Sequence, residues 1–206
     1  MIPRHLQITV ILLLVGVLFA GGYMLELRRR EQSKTKALPT VVTGRPLPAP
    51  DAGPAEKIRL VVAYDEDGVL IPRDASVHLP ADIGNRVKEI LRALLAVYAD
   101  TPSPHSVPAD ADIKTVFVVN GDTCVVDLNA AFAAGHRSGI LVEQFTIASM
   151  VETITANYPQ IRKVKFLVEG QERETLAGHA DLMVTYEYPK VHDFVLSLQN
   201  VELELK

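Results

Sequence analysis

Apolar and polar positions along this chain follow two periods, and the longest regular stretch has the period of a helix. Residues 139–158 contain no proline and, after the first residue, no glycine, and they suffice for about five helical turns. Pro159 follows directly and ends the segment. The apolar positions at helical spacing are Ile140, Leu141, Phe145, Ile147, Ala148, Val151, Ile154 and Tyr158. A stripe this wide predicts a helix packed against a sheet.

Strict alternation of apolar and polar residues marks the strands. In residues 163–169, Val164, Phe166 and Val168 share one face and charged residues occupy the other, which predicts a half-buried strand. Pro72 is expected to end a second strand after residue 71, because proline donates no backbone hydrogen bond to a sheet. The other predicted strands are residues 58–64, 69–71, 77–79 and 182–188, the last ended by Pro189.

A hairpin is predicted between residues 114–119 and 123–128, because Asn120-Gly121 between them forms the tight turns that join paired strands. Cys124 is the single cysteine, so no internal disulfide is possible. It alternates with apolar residues on one strand face, which predicts a buried, inert thiol. Asp127, at the end of the same strand, is predicted to hydrogen-bond a turn or a helix cap rather than to act as an acid.

The order of elements predicts the fold class. Residues 83–98 carry apolar side chains at i, i+4 and i+7 and form a second amphipathic helix. The sequence strand–strand–helix–hairpin–helix–strand–strand then predicts an α+β domain, in which two helices pack on one face of a mixed sheet of three to five strands. The C-terminal tail, residues 189–206, fits either a helix at its start or an edge strand at 201–205, and its pattern does not decide between them.

Four stretches together resemble a known family. They are VDLNAAF at 126–132, E-x-F-T-I-A-S-M-V-E-T-I-T at 143–155, YPQIRKVKFLVEGQ at 158–171 and ETLAGHADL at 174–182. These are similar to the GerMN domain, which is named from bacterial spore germination and sporulation proteins and also occurs in membrane-anchored and lipoprotein-type envelope proteins. The resemblance extends over residues 58–188 and is most specific at 153–171. It implies a ring-building type of α/β domain that assembles with partners at a cell envelope, and it implies no catalytic residues.

The N-terminal residues predict a membrane anchor. Residues 5–25 contain no Asp, Glu, Lys or Arg, and the apolar segment 6–27 matches the roughly 20 residues needed to span a bilayer. A cleaved signal peptide is the alternative, but its apolar core is usually about 7–15 residues long. We therefore predict a short tail at 1–5, one transmembrane helix at 6–27 and a linker at 28–57 that is first basic and then proline-rich. The GerMN-like domain occupies 58–188.

The orientation of the anchor is predicted differently by two criteria. Arg4 and His5 precede the span, whereas five Lys and Arg residues follow it between positions 28 and 36. This count favours a cytoplasmic domain, while the GerMN resemblance implies that the domain lies outside the cytoplasm. We retain a single-pass protein of the cell membrane with an extracytoplasmic domain as the prediction.

Charge excludes one class of partner. Residues 1–36 hold six Lys and Arg and two Asp and Glu, so the rest of the chain holds 15 basic and 23 acidic residues and has a net charge of −8. A protein that binds nucleic acid needs the opposite balance on its folded part. The basic residues next to the span are typical of contacts with lipid headgroups.

Candidate sites for chemistry are few. His179 and Asp181 in Gly178-His179-Ala180-Asp181, with His136 or His105, could form a metal site of the His/carboxylate kind, but a structural turn explains the motif equally simply. Asp65, Glu66 and Asp67 are predicted to be a solvated hairpin tip, because the residues that follow do not complete a calcium loop. No catalytic, cofactor-binding or metal-binding residue is predicted.

The sequence therefore favours a non-enzymatic, membrane-tethered interaction module at the cell envelope. It would act as an assembly or scaffold factor, in sporulation or germination where the organism makes spores, through contacts with envelope proteins or with itself. The alternative hypothesis is an envelope protein that binds a small ligand or a metal around His136, His179 and Asp181.

Overall fold

The computed structural model describes residues 55–204, with side chains through residue 198, so the predicted anchor and most of the linker lie outside the described residues. No helix within residues 55–204 is long and apolar enough to cross a membrane. The strands are β1 (Ala55–Tyr64), β2 (Val69–His78), β3 (Ile113–Val119), β4 (Thr123–Leu128), β5 (Lys163–Val168) and β6 (Thr185–Glu187). The helices are α1 (Ile83–Ala99), α2 (Ala130–Ala134), α3 (Ile140–Asn157) and α4 (Tyr188–Glu204).

The strands form two sheets, whereas the sequence predicted one. β3, β4, β5 and β6 build a mixed four-stranded sheet in that order, with β4 and β5 parallel and the outer pairs antiparallel. This sheet and its helices confirm the predicted α+β class and the mixed sheet. β1 and β2 form a separate antiparallel hairpin. One apolar core nevertheless includes residues from both sheets and from α1, α3 and α4.

β2 continues through Pro72, so the predicted break at this residue is wrong. Pro72 lies opposite Val61, whose backbone N–H points away from β2 towards Thr153. In an antiparallel pair, opposite residues direct their backbone groups the same way relative to the ladder. The missing N–H of Pro72 therefore falls on the outer edge of β2, where the hairpin needs no donor. The predicted strand piece 69–71 and residues 77 and 78 of the predicted piece 77–79 belong to one strand of 10 residues.

Helix α3 is buried on nearly all sides, although the sequence predicted a single apolar face. Every side chain from Phe145 to Thr155 is buried, and the helix packs against β1, α1 and α4. A helix enclosed in this way is expected to be apolar all round. Ile140 and Leu141, predicted to join the core, are instead 60% and 56% exposed.

Polar side chains of two helices form hydrogen bonds with the backbone groups on the free edge of β1. The backbone N–H of Val61 donates to Thr153 Oγ1 at 2.8 Å, and that of Ala63 donates to the Tyr98 hydroxyl at 3.0 Å. Asn157 uses both ends of its amide, accepting from Arg59 N at 3.0 Å and donating to Arg59 O at 2.7 Å. Helix side chains thus take the place of a further strand, which explains why α3 carries Thr153 and Asn157 on the side that faces β1.

Removing one of these acceptors tests the arrangement. We expect Thr153→Val to lower the free energy of unfolding by about 1–2 kcal/mol, because the buried N–H of Val61 loses its acceptor while the side-chain shape is kept. Thr153→Ser retains the hydroxyl and should cost clearly less. Urea unfolding of both variants measures the difference, and a Thr153→Val loss no larger than the Thr153→Ser loss would contradict a dominant role for the hydrogen bond.

The outer edge of β3 is covered by the first turns of α1. Lys88 Nζ donates to the carbonyl oxygen of Lys114 at 2.6 Å. Gly84, in the first turn of α1, lies so close to the carbonyl oxygen of Val116 that a side chain at this position would overlap it. Asp82 begins the helix by accepting from the N–H of Asn85 at 2.9 Å. The position of α1 therefore depends on a residue without a β-carbon.

The C-terminal residues form a helix, which resolves the alternatives left by the pattern of the tail. α4 runs to Glu204, so the alternation at 201–205 does not produce a strand. The predicted strand 182–188 shrinks to the three residues of β6, and Tyr188 already begins α4. Pro189 then stands in the first turn of the helix, where a backbone N–H has no intrahelical acceptor and its absence costs nothing.

Candidate functional site

The residues of the predicted metal site do not converge on one point, because each forms hydrogen bonds with a different part of the structure. His136 Nδ1 lies 2.8 Å from the carbonyl oxygen of Arg137, and its Nε2 lies 2.7 Å from Thr146 Oγ1. Asp181 Oδ1 accepts the N–H of Met183 at 2.8 Å, as expected for a turn. Within residues 55–204 no group of three or more His, Cys, Asp or Glu side chains is arranged to hold a metal ion. The geometry therefore gives the metal hypothesis no support.

His179 belongs to a site centred on Glu143, a residue that the sequence did not single out. Glu143 Oε2 accepts the backbone N–H groups of Ala177, His179 and Ala180 at 2.9 to 3.0 Å. Its Oε1 accepts the N–H of Gly139 at 3.1 Å and lies 3.0 Å from His179 Nδ1. One fully buried carboxylate thus holds the 177–180 loop against the start of α3.

These donors also explain the charge of Glu143. Burial raises the pKa of this carboxyl, but the hydrogen bonds from Ala180, Ala177 and His179 outweigh burial and lower the pKa to about 2. The N-terminus of α3, where Glu143 lies in the first turn, adds a favourable field. The carboxylate is therefore ionised and saturated with donors, and it serves as a structural anion rather than as a proton donor.

Two further candidates from the sequence occupy structural positions. Cys124 is fully buried, as predicted, and burial raises the pKa of its thiol to about 12, so that it stays protonated. Asp127 Oδ1 accepts the N–H of Gly170 at 2.7 Å and holds the turn after β5, in agreement with the predicted turn role. Neither residue is arranged to react with a substrate.

An apolar groove lies beside this site, between α3, β6 and α4. It encloses about 440 Å³. Its apolar lining comes from Ile147, Ala148, Val184, Tyr186, Val191 and Phe194. Gln144, Glu187 and Lys190 stand among the other lining residues, and Glu187 and Lys190 pair with each other at 2.9 Å. The polar residues of the groove therefore include no unpaired charge.

Apolar side chains in the segments that border the groove are exposed. Val184, which lines the groove, is 44% exposed, and its neighbour Met183 is 50% exposed. Ile140 and Leu141 precede the lining residue Gln144 by one helical turn. The sequence indicated that these residues are apolar, but not that the fold leaves them uncovered, because this depends on where β6 ends and α4 begins.

Two of the similar chains found among solved structures come from the same bacterium. The tandem GerMN domains of the sporulation protein GerM from Bacillus subtilis match with a TM-score of 0.49 and 18% identity, over 64% of this chain and 45% of that one. The chain thus matches less than half the length of that tandem protein. The first GerMN domain of the same protein matches with a TM-score of 0.48 and 19% identity, over 63% of this chain and 94% of that one.

Comparison with protein families identifies the domain itself. Among curated protein sequences no match is found. The family model named Germane, described as sporulation and spore germination, matches residues 61–174. This range covers more than half of the chain and includes Glu143 and most of the motifs on which the GerMN resemblance rests. The chain therefore belongs to the Germane family of sporulation and spore germination domains.

Proposed function

We propose that this protein is a non-enzymatic interaction module, tethered to the membrane by residues 6–27, whose groove binds apolar side chains of an envelope protein. The observation that carries the proposal is the groove between α3, β6 and α4 with exposed apolar residues at its border. Contiguous apolar surface of this kind marks interaction sites in folded proteins.

The chemistry of the groove favours an apolar protein partner. Protein interfaces combine an apolar centre with a polar rim, and Phe194 and Val191 together with Glu187 and Lys190 provide these two parts. Because Glu187 and Lys190 neutralise each other, the groove offers no charge for an anionic or cationic ligand. Apolar side chains presented by a helix or an extended segment match it best.

The arrangement of polar groups supports a binding role over catalysis. The Glu143 carboxylate lies within hydrogen-bond distance of His179 Nδ1 next to the start of α3. Cys124 and Asp127 are buried in structural positions. A nucleophile and its base need to meet at an accessible position, and the candidate residues named from the sequence do not form such a pair.

The family and the N-terminal sequence provide the cellular setting of the proposal. A span at 6–27 and a proline-rich linker up to residue 57 would hold the domain at a distance from the bilayer. An extracytoplasmic domain would then meet other envelope proteins, in sporulation or germination where the organism makes spores. Assembly with a second copy is the other form that such an interaction could take.

Site-specific photo-crosslinking tests the proposed surface. A photo-reactive amino acid at Val184 in the full-length, membrane-bound chain should give a discrete product with one envelope protein, identified by mass spectrometry. The matched control is Ile71, which is 45% exposed compared with 44% for Val184 but lies on the hairpin β1–β2. Leu141→Glu should reduce the product from position 184 at least fivefold, because it places a charge beside the groove.

Three outcomes of this experiment are informative. A single envelope protein captured from position 184 and not from position 71 supports the proposal. A product that contains two copies of this chain would show that the groove binds a second copy of this chain rather than another envelope protein. Equal and diffuse crosslinking from both positions contradicts a role for the groove.

A further inference from the structure

Three connecting segments of the domain meet in a buried chain of polar side chains. Asp65 lies in the turn after β1, His105 in the loop between α1 and β3, and His136 in the loop between α2 and α3. All three are joined through Thr146 of α3, and we call these four residues the imidazole chain. His105 Nδ1 lies 2.6 Å from Asp65 Oδ1, and the Nε2 atoms of His105 and His136 each lie 2.7 Å from Thr146 Oγ1.

The outer ends of the imidazole chain determine where two protons are. His136 Nδ1 faces the carbonyl oxygen of Arg137 at 2.8 Å, and a carbonyl oxygen can only accept. His136 Nδ1 therefore carries a proton. His105 Nδ1 faces the carboxylate of Asp65 and carries a proton for the same reason. In neutral rings, both Nε2 atoms would then be acceptors.

Thr146 cannot satisfy two acceptors. Its hydroxyl has one proton and so can donate to one Nε2, which leaves the other Nε2 facing an oxygen lone pair at 2.7 Å. Both histidines are buried, at 1% and 6% exposure, so an unsatisfied ring nitrogen is costly. If the hydroxyl donates instead to the carbonyl oxygen of Val142 at 3.1 Å, both Nε2 atoms lack a donor. When one ring is doubly protonated, both contacts between Thr146 and the rings are hydrogen bonds.

We infer that the imidazole chain holds one proton more than two neutral rings would carry, that this proton resides on His105 beside Asp65, and that it ties three connections of the domain to α3. With His105 charged, its Nε2–H donates to Thr146, and Thr146 donates to His136. The positive charge then faces the carboxylate of Asp65, so the pair has no net charge. The inference is independent of the groove and of its proposed partner.

The charged and titratable groups around the imidazole chain act in both directions. Burial lowers the pKa of His105 and of His136, and Arg137 lowers that of His105 further. The hydrogen bond and the charge of Asp65 oppose burial at His105, and Glu143 opposes it at His136. Tyr98, whose ring packs edge-on against His105 at 4.9 Å, is neutral because burial raises its pKa to about 12. Together these groups lower the pKa of both rings, whereas the donor count at Thr146 requires an extra proton, and we give priority to the donor count because it follows from the contacts themselves.

Histidine NMR of the full-length chain in detergent tests the inference directly. With ¹⁵N-labelled histidine assigned by single substitutions, His105 should show two protonated ring nitrogens at pH 7, and His136 should show a neutral ring protonated at Nδ1. Two neutral rings at pH 7 would overturn the inference. A doubly protonated His136 beside a neutral His105 would overturn the assignment of the proton to His105.

A matched pair of acidic residues provides the control. Asp65→Asn keeps an oxygen that accepts from His105 Nδ1 but removes the negative charge, so the titration midpoint of His105 should fall by at least one pH unit. Glu66→Gln removes a charge from the neighbouring exposed residue and should leave the midpoint unchanged. Equal shifts in the two variants would show a general field effect and contradict the role of the Asp65–His105 contact.

Discussion

Glu143→Gln is expected to cost about 3–5 kcal/mol of unfolding free energy, the size typical of breaking a buried charged network. Glutamine keeps the shape of the side chain but replaces one oxygen by an NH₂ group. That group would face either the N–H groups of Ala177, His179 and Ala180 or that of Gly139, and at least one buried donor would lose its acceptor. Urea unfolding of the chain without residues 1–48 measures the loss.

The same carboxylate predicts how the wild-type domain responds to acid. The pKa of Glu143 is lowered from 4.5 to about 2 in the folded state, so its contribution is fully present above pH 4.5. It is lost as the pH falls towards 2, and the difference corresponds to about 3 kcal/mol. Glu143→Gln should therefore show a weaker loss of stability between pH 4.5 and pH 2 than the wild type.

Glu152→Gln is the matched control for this prediction. Glu152 lies on the same helix and is 8% exposed, but among the described residues its side chain hydrogen-bonds to His192 alone, at 2.9 Å. We expect its loss to stay near 1 kcal/mol, the usual value of one hydrogen bond. If both substitutions cost the same, burial on α3 rather than the set of donors around Glu143 determines the effect.

Gly84→Val is expected to cost at least about 3 kcal/mol, or to prevent folding, because overpacking against backbone is poorly relieved. The new side chain would overlap the carbonyl oxygen of Val116, which belongs to β3 and cannot rotate away. α1 would have to move from the edge of β3 and would weaken the contact of Lys88 with Lys114. Urea unfolding, or the yield of folded protein, measures the effect.

Asn85→Val separates the clash from helix propensity. Asn85 follows Gly84 in the same turn and is exposed, and its backbone N–H, which Asp82 accepts, is unchanged by the substitution. The β-branched residue should cost a few tenths of a kcal/mol there. A similar loss at both positions would mean that valine disfavours the helix start and that the close approach at Gly84 is tolerated.

Much of the fold could be predicted from periodicity. The pattern of 163–169 predicted β5, Asn120-Gly121 predicted the hairpin β3–β4, and both turn residues have positive φ. Each prediction depends on neighbouring residues alone, so no distant contact could change it. The two sheets could not be separated, because β1 and β2 alternate in the same way whether they join β3 or stand apart.

The candidate site depended on contacts that a linear pattern does not contain. Glu143 and the 177–180 loop lie more than 30 residues apart, and an acid in the first turn of a helix is common. The role of Glu143 appears when the loop folds back and directs three N–H groups at one oxygen. Thr153 and Asn157 likewise resembled breaks in an apolar stripe until β1 was placed beside them. The sequence predicted which side chains are apolar, but not which of them other helices and strands would bury.

The covered edges of the two sheets have a consequence for polymerisation. The side chains of Thr153 and Asn157 hydrogen-bond to the free edge of β1, and α1 covers the outer edge of β3. Pro72 removes one N–H donor from the outer edge of β2, and β6 is only three residues long. Strand-by-strand stacking, the route to amyloid, needs a long edge with free donors and acceptors. The described sheets offer little free edge of this kind, so concentrated copies of the domain should collide without joining into fibrils.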